Sequence, residues 1–222
     1  DAADFDTTAA TPPSAPTSLA VTQATGGSLK LEWAEALDWG GAARTVFTIK
    51  LRRTGVDEND DPYTQTQVAS DAFGAGLVHT QYGLLANTEY ELEIRAANAA
   101  GEGPASSITA TTNNPSAPTQ PRSPTAPTPT SGGALTLHFL APLDAGGLPV
   151  TSYVLRHRLC AESGFTAPAT TCEVAAAGGN GVGAGCTVYD LLASTCYTLG
   201  VRASTVEDAG GGGGGGGGGV LG

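Results

Sequence analysis

Four cysteines, Cys160, Cys172, Cys186 and Cys196, are the residues of this chain best suited to covalent chemistry, and their spacings of 12, 14 and 10 residues say which kind. Structural zinc sites recruit close cysteine pairs or cysteine with histidine, and no CxxC pair occurs here, so the spacing points to disulfides and with them to a secreted location. The alternative is four reduced thiols in a cytosolic protein. The acidic run Asp57-Glu58-Asn59-Asp60-Asp61 could gather oxygen ligands for calcium, but it lacks the glycine and closing glutamate of an EF-hand loop and reads better as a solvated turn. His79, His138 and His157 stand alone in strand-like segments, none with a partner at metal-ligand or triad spacing. The tract Gly210–Gly219 satisfies GxGxxG trivially, yet no helix follows it to cradle a phosphate, so it reads as a flexible loop. Neither GxSxG nor HExxH is present. No catalytic residue, metal site or cofactor is expected.

The elements that must carry these residues are strands. Leu29-Lys30-Leu31-Glu32-Trp33, Phe47-Thr48-Ile49-Lys50-Leu51 and Tyr90-Glu91-Leu92-Glu93-Ile94 alternate apolar and polar residues, the signature of a strand with one face buried and one wet. Gly and Pro total 32 and 14 residues, and nothing reads as a long amphipathic helix. The chain also repeats itself. Asp38-Trp39-Gly40-Gly41, Phe47 and Arg52 line up with Asp144-Ala145-Gly146-Gly147, Tyr153 and Arg158. Leu85-Ala86-Asn87-Thr88-Glu89-Tyr90 lines up with Leu192-Ala193-Ser194-Thr195-Cys196-Tyr197. A repeat of about 106 residues in a chain of 222 predicts two tandem modules, each large enough to own a core.

The net charge of −11 is uneven, with 15 acids against 6 bases in residues 1–114 and 6 against 4 in 115–222. Phosphate backbones would be repelled, so nucleic acid is excluded as a partner. No apolar run reaches the roughly 18 residues that a membrane-spanning segment needs.

Module one resembles a fibronectin type III domain along nearly its whole length. The residues that carry the resemblance are Ser14-Ala15-Pro16 entering strand A, Leu31-Glu32-Trp33 on strand B, Asp38–Gly41 in the B-C loop, Phe47–Arg52 on strand C, Leu85–Tyr90 leading into strand F, and Asn98–Pro104 in the F-G loop. Trp33 then supplies a large buried surface, about 150–250 Å², and Tyr90 fits a tyrosine corner. Module two resembles the same family with departures: Phe139 replaces the strand B tryptophan, while Tyr197 keeps the corner. Its strand A is at most a ragged edge, because Pro115–Pro129 is dense in proline and free of Leu, Ile and Val. The resemblance implies an all-β protein of two tandem seven-stranded immunoglobulin-like sandwiches, the second lacking a complete last strand.

On this frame residues 14–112 are module one, 113–130 a Pro-rich linker with the ragged strand A, and 131–222 module two with its Gly-rich end. Residues 1–13 resemble the exit of module one, Ile108–Pro118, and read as the tail of a preceding module. With no Met in the chain, this suggests a piece of a longer array. The resemblance also places Cys160 and Cys196 on neighbouring antiparallel strands C and F, leaving Cys172 with Cys186. Cys160 with Cys172 and Cys186 with Cys196 is the open alternative. Each bridge would contribute roughly 3 kcal/mol by loop closure.

Trp39, flanked by Asp38 and two glycines where module two has Ala145, is either an interface anchor or a cover for the end of its own sandwich. The expected role is that of structural and binding spacer modules at the cell surface or outside the cell. Their partners would be other proteins or further copies of the array, as in adhesion, matrix or filament assembly. O-linked sugar on Thr125–Ser131 is a further expectation from composition. The alternatives are accessory modules of a secreted hydrolase and an intracellular cytoskeletal or ciliary scaffold.

Overall fold

Period-two alternation becomes strand throughout the computed structural model, which describes residues 9–56, 64–69, 77–125, 128–165, 170–173, 183–206 and 219–220; among these no residue is helical. The chain divides into two compact units. The first holds the stretch up to Ala24 with Leu29–Gln81 and Thr88–Thr112, and the second holds Asn113–Gly222 with Thr25–Ser28 and Tyr82–Asn87.

The first seven strands are β1 (Pro16–Ala24), β2 (Ser28–Ala36), β3 (Arg44–Arg53), β4 (Thr64–Ala69), β5 (Leu77–Tyr82), β6 (Glu89–Asn98) and β7 (Gly101–Thr111). They form two sheets, ordered β1-β2-β5 and β4-β3-β6-β7. Leu29, Leu31 and Trp33 of β2 point inward, as do Phe47, Ile49 and Leu51 of β3 and Tyr90, Leu92, Ile94 and Ala96 of β6. The intervening Lys30, Glu32, Lys50, Glu91 and Glu93 keep the outer faces polar. A one-residue slip in register would expose every one of these apolar side chains, so alternation pins the pairing. Trp33 meets Phe47 edge to face, with centroids 5.6 Å apart, the geometry that ring quadrupoles favour.

The remaining strands are β8 (Thr128–Ser131), β9 (Ala134–Leu140), β10 (Val150–Leu159), β11 (Thr170–Glu173), β12 (Gly183–Val188), β13 (Tyr197–Thr205) and β14 (Gly219–Val220). Their sheets run β12-β9-β8 and β11-β10-β13-β14. The core gathers Leu137, Phe139, Tyr153, Leu155, Cys186, Val188, Leu199 and Val201. Phe139 meets Tyr153 at 4.7 Å, edge to face, repeating the contact that Trp33 makes with Phe47 in the first sandwich.

Proline shapes the first edge of this second sandwich. One bridge pairs Arg122 with Leu140, the Thr125 amide donates to the His138 carbonyl at 2.9 Å, and a strand paired with β9 forms at Thr128–Ser131. Pro129 has no amide hydrogen to donate, which restricts the segment to a sheet edge, and β8 is the edge strand of its sheet. At the other end β14 pairs only Gly219 and Val220, with Val201 and Gly200 of β13. The protein is therefore all-β, two sandwiches with seven strands each among the described residues.

The repeated corners match as well. Asn87 and Ser194, aligned in the sequence, both take left-handed backbone, at φ 51° and 53°. The Leu192 amide donates to the Tyr197 hydroxyl at 2.9 Å, tying β13 to the loop before it, while Tyr90 is buried on β6.

Candidate contact site

The repeated Asp-x-Gly-Gly segment builds the same clamp in each sandwich. In the first, the Gly40 amide donates to Asp38 Oδ1 at 2.8 Å, closing a tight turn. That turn grips the entering chain: the Thr11 amide donates to the Gly40 carbonyl at 2.9 Å and the Ser14 amide to the Asp38 carbonyl at 2.8 Å. The Asp38 amide donates in return to Ser14 Oγ at 3.1 Å. Asn98 completes the clamp, its side-chain amide donating to the carbonyls of Thr11 and Trp39 at 2.7 and 2.9 Å.

In the second sandwich Asp144 Oδ1 accepts from the Gly146 amide at 2.7 Å. The Ser116 amide donates to the Gly146 carbonyl at 3.0 Å, and that of Thr119 to the Asp144 carbonyl at 2.9 Å. The Asp144 amide donates to Thr119 Oγ1 at 3.2 Å. The first glycine of each segment has left-handed backbone, and a Cβ on Gly40 would lie 1.9 Å from the Thr11 carbonyl oxygen, one on Gly146 1.7 Å from that of Ser116. Only glycine lets the linker approach so closely.

Sequence reasoning aligned the two Asp-x-Gly-Gly segments but missed what they hold. The signal was present in the paired hydroxyl residues Thr11 and Ser14, and Ser116 and Thr119. It was masked by the Ser-Ala-Pro triplets at 14–16 and 116–118, which attract alignment yet are three residues out of step in the clamps.

The cysteines pair as Cys160 with Cys196 and Cys172 with Cys186, at Cα separations of 5.5 and 5.9 Å. The two bridges differ in setting. Cys160 lies just past the last pair of β10 and β13, Leu159 with Tyr197, and its amide donates to the Cys196 carbonyl at 3.1 Å; both residues are exposed. Cys172 registers opposite the inward-facing Tyr153 of β10, and Cys186 opposite the inward-facing Leu137 of β9. That bridge crosses the core from one sheet to the other, with Cys186 1% exposed.

Trp39 is half-buried. Its ring meets Phe47 edge to face at 5.7 Å, and the Arg44 guanidinium lies over it at 5.1 Å. The histidines sit on separate strands, His79 on β5, His138 on β9 and His157 on β10. Among the described residues no three His, Cys, Asp or Glu side chains gather as a metal site, and no helix is long and apolar enough to cross a membrane. The acidic run Asp57–Asp61 lies wholly outside the described residues, as do residues 1–8 and Gly210–Gly218 of the glycine tract.

Two ionisable groups are displaced. Lys30, whose ammonium lies 3.0 Å from the Glu32 carboxylate, holds the Glu32 carboxyl below its ordinary value, helped by the Thr22 hydroxyl. Burial raises the Tyr153 phenol. Neither arrangement pairs a nucleophile with a base; what recurs is hydrogen bonding that fixes loops and linkers.

Residues 14–112 match the fibronectin type III domain family model. Among solved structures the chain is similar to a segment of two fibronectin type III domains from chicken tenascin, at 15% identity, covering 86% of this chain and 91% of that one with a TM-score of 0.36. It is also similar to the FN1–FN3 domains of chicken CNTN1, at 17% identity, 88% and 64% coverage and a TM-score of 0.37. A structure described as a myokine shares 20% identity over 46% of this chain and 99% of its own, with a TM-score of 0.38.

Proposed function

Residues 14–112 belong to the fibronectin type III family, and on that premise we propose that this chain supplies spacer and binding modules to an extracellular or cell-surface protein. The second sandwich, residues 131–222, is a divergent copy of the same module, and the segment 113–130 is its linker and first edge. The chain holds partners through loops and sheet faces, in adhesion or in filament and matrix assembly, and carries out no catalysis. Trp39, half-buried in its loop, is the proposed aromatic anchor. Thr125, Thr128, Thr130 and Ser131 are proposed acceptors of O-linked sugar.

One observation carries this reading: two Asp-x-Gly-Gly clamps each tie the incoming chain to its own sandwich by three backbone and hydroxyl bonds. A linker tied to the sandwich it enters is an ordered lead-in to that module, which suits a spacer. The two disulfides favour an oxidising compartment. The test is surface biotinylation of cells expressing the tagged full-length protein with an impermeant reagent, followed by intact mass before and after reduction without prior alkylation. Surface labelling and a gain of four hydrogens are expected; an unlabelled protein with four free thiols would instead favour the cytoskeletal or ciliary scaffold.

A further inference from the structure

The outer faces of the two four-stranded sheets have diverged in charge while keeping the same bases. On the first, Lys50 and Arg52 of β3 lie directly opposite Glu93 and Glu91 of β6. Arg52 meets Glu91 at 2.8 Å and Arg95 meets Glu93 at 3.3 Å, so each base has a carboxylate at hand. The second sheet retains all three bases at the aligned positions, Arg156 for Lys50, Arg158 for Arg52 and Arg202 for Arg95. Both acids are gone. Thr198 stands opposite Arg158 and Gly200 opposite Arg156.

The inward residues of β10 are Tyr153 and Leu155, so Arg156 and Arg158 lie on the opposite, outer face. Arg202 pairs with Val154 on that same face, diagonal to Arg156 and within reach of a long side chain. Arg156 is exposed and Arg158 and Arg202 are half-exposed. Among the described residues none of the three forms an ion pair. Arg158 rests on Phe165 at 5.5 Å, and Arg202 Nε has no hydrogen-bond partner. Along β11 the backbone of Glu173 registers with Ser152, four residues along β10 from Arg156, or about 13 Å.

We propose that this arginine face binds carboxylates of the acid-rich half of a second copy of the chain, an inference that rests on the spacer reading above. Charge complementarity selects that occupant. Residues 1–114 carry nine more acids than bases (15 against 6), and Asp57-Glu58-Asn59-Asp60-Asp61 places four acids in five residues. Guanidinium forks match carboxylates in bidentate geometry, and Gly200 leaves the centre of the face without a side chain. The whole-chain charge of −11 disfavours a long polyanion. Because arginines and acids lie in different halves of the sequence, a contact reciprocated between two copies closes a two-fold dimer and an unreciprocated one generates rings or open chains of copies.

Sedimentation velocity of the chain over a range of concentrations tests this at physiological ionic strength, where screening beyond about 8 Å damps the repulsion of net charge and spares charge pairs in contact. The wild type is expected to associate. R156E/R158E and the milder R156Q/R158Q weaken association on the order of tenfold or more, as does D57N/E58Q/D60N/D61N. Mixing R156E/R158E with D57K/E58K/D60K/D61K restores it. The inference is overturned by a wild type that stays monomeric at every concentration, by association that the arginine variants leave unchanged, or by binding of dextran sulfate to this face without self-association. Circular dichroism confirms folding, and the glutamine variants serve if the glutamates do not fold. A monomer that carries both disulfides at the cell surface refutes this inference alone and leaves the spacer reading standing.

Discussion

The Gly146 amide hydrogen rests on the Asp144 carboxylate at 2.7 Å, closing a turn whose inner surface is occupied by the linker carbonyl of Ser116. The corresponding turn at Gly40 is occupied by the carbonyl of Thr11. Gly146→Ala must drive a methyl group into the Ser116 backbone while holding φ at +75°, so it should destabilise the second sandwich by about 2 kcal/mol or more. Gly40→Ala should do the same to the first. Urea unfolding of each variant measures the cost, and unchanged midpoints would remove the clamp from the account.

The two disulfides should open in order. Thiolate attack needs access to a sulfur, and Cys160 and Cys196 are exposed while Cys186 is buried in the core. Under limiting dithiothreitol in native buffer, alkylation and peptide mapping should find Cys160 and Cys196 labelled first. Loop closure alone assigns about 4 kcal/mol to the Cys160–Cys196 loop and about 3 kcal/mol to the other. Reduction of the exposed bridge should therefore lower stability before the core bridge is touched.

Tyr197 and Ser194 make a paired test at the corner. Tyr197→Phe leaves the Leu192 amide without its acceptor and should cost about 1 kcal/mol. Ser194→Gly relieves left-handed backbone at φ 53° and should stabilise by about 1 kcal/mol. Thermal unfolding should move in opposite directions for the two.

Phe139→Ala empties the position that meets Tyr153 and should cost about 3–5 kcal/mol. Trp33→Ala should be comparably severe in the first sandwich, and each loss should appear in the unfolding transition of its own sandwich.

Burial raises the Tyr153 phenol, so the folded state holds that proton more tightly than the unfolded chain. Its contribution is complete below the unfolded value near pH 10 and is lost as pH rises through the higher folded value. Denaturant midpoints should fall with pH above about 10, and Tyr153→Phe should flatten that decline. An equal decline in the variant would exclude Tyr153 as its source.

Strand content, the inward residues Trp33, Phe47, Leu92 and Phe139, and the duplication were all legible in the chain. Each is a local or periodic property: alternation assigns a face to every residue before any strand finds its neighbour, and a duplicated gene leaves its offset in plain text. The proline-dense segment before β9 likewise announced an interrupted edge, because the missing amide hydrogen is a property of the residue itself.

Tertiary structure decided what depends on distance between residues far apart in sequence. Four cysteines allow three pairings, and only the register of β10 with β13 and the stacking of β11 against β12 choose among them. Whether Trp39 lies on Phe47, and which hydroxyls the Asp-x-Gly-Gly turns grip, depend on where a loop folds back, which no local propensity encodes. The lost carboxylates opposite Arg156 and Arg158 follow the same rule: Thr198 and Gly200 are unremarkable in the sequence until antiparallel pairing sets them across from two arginines.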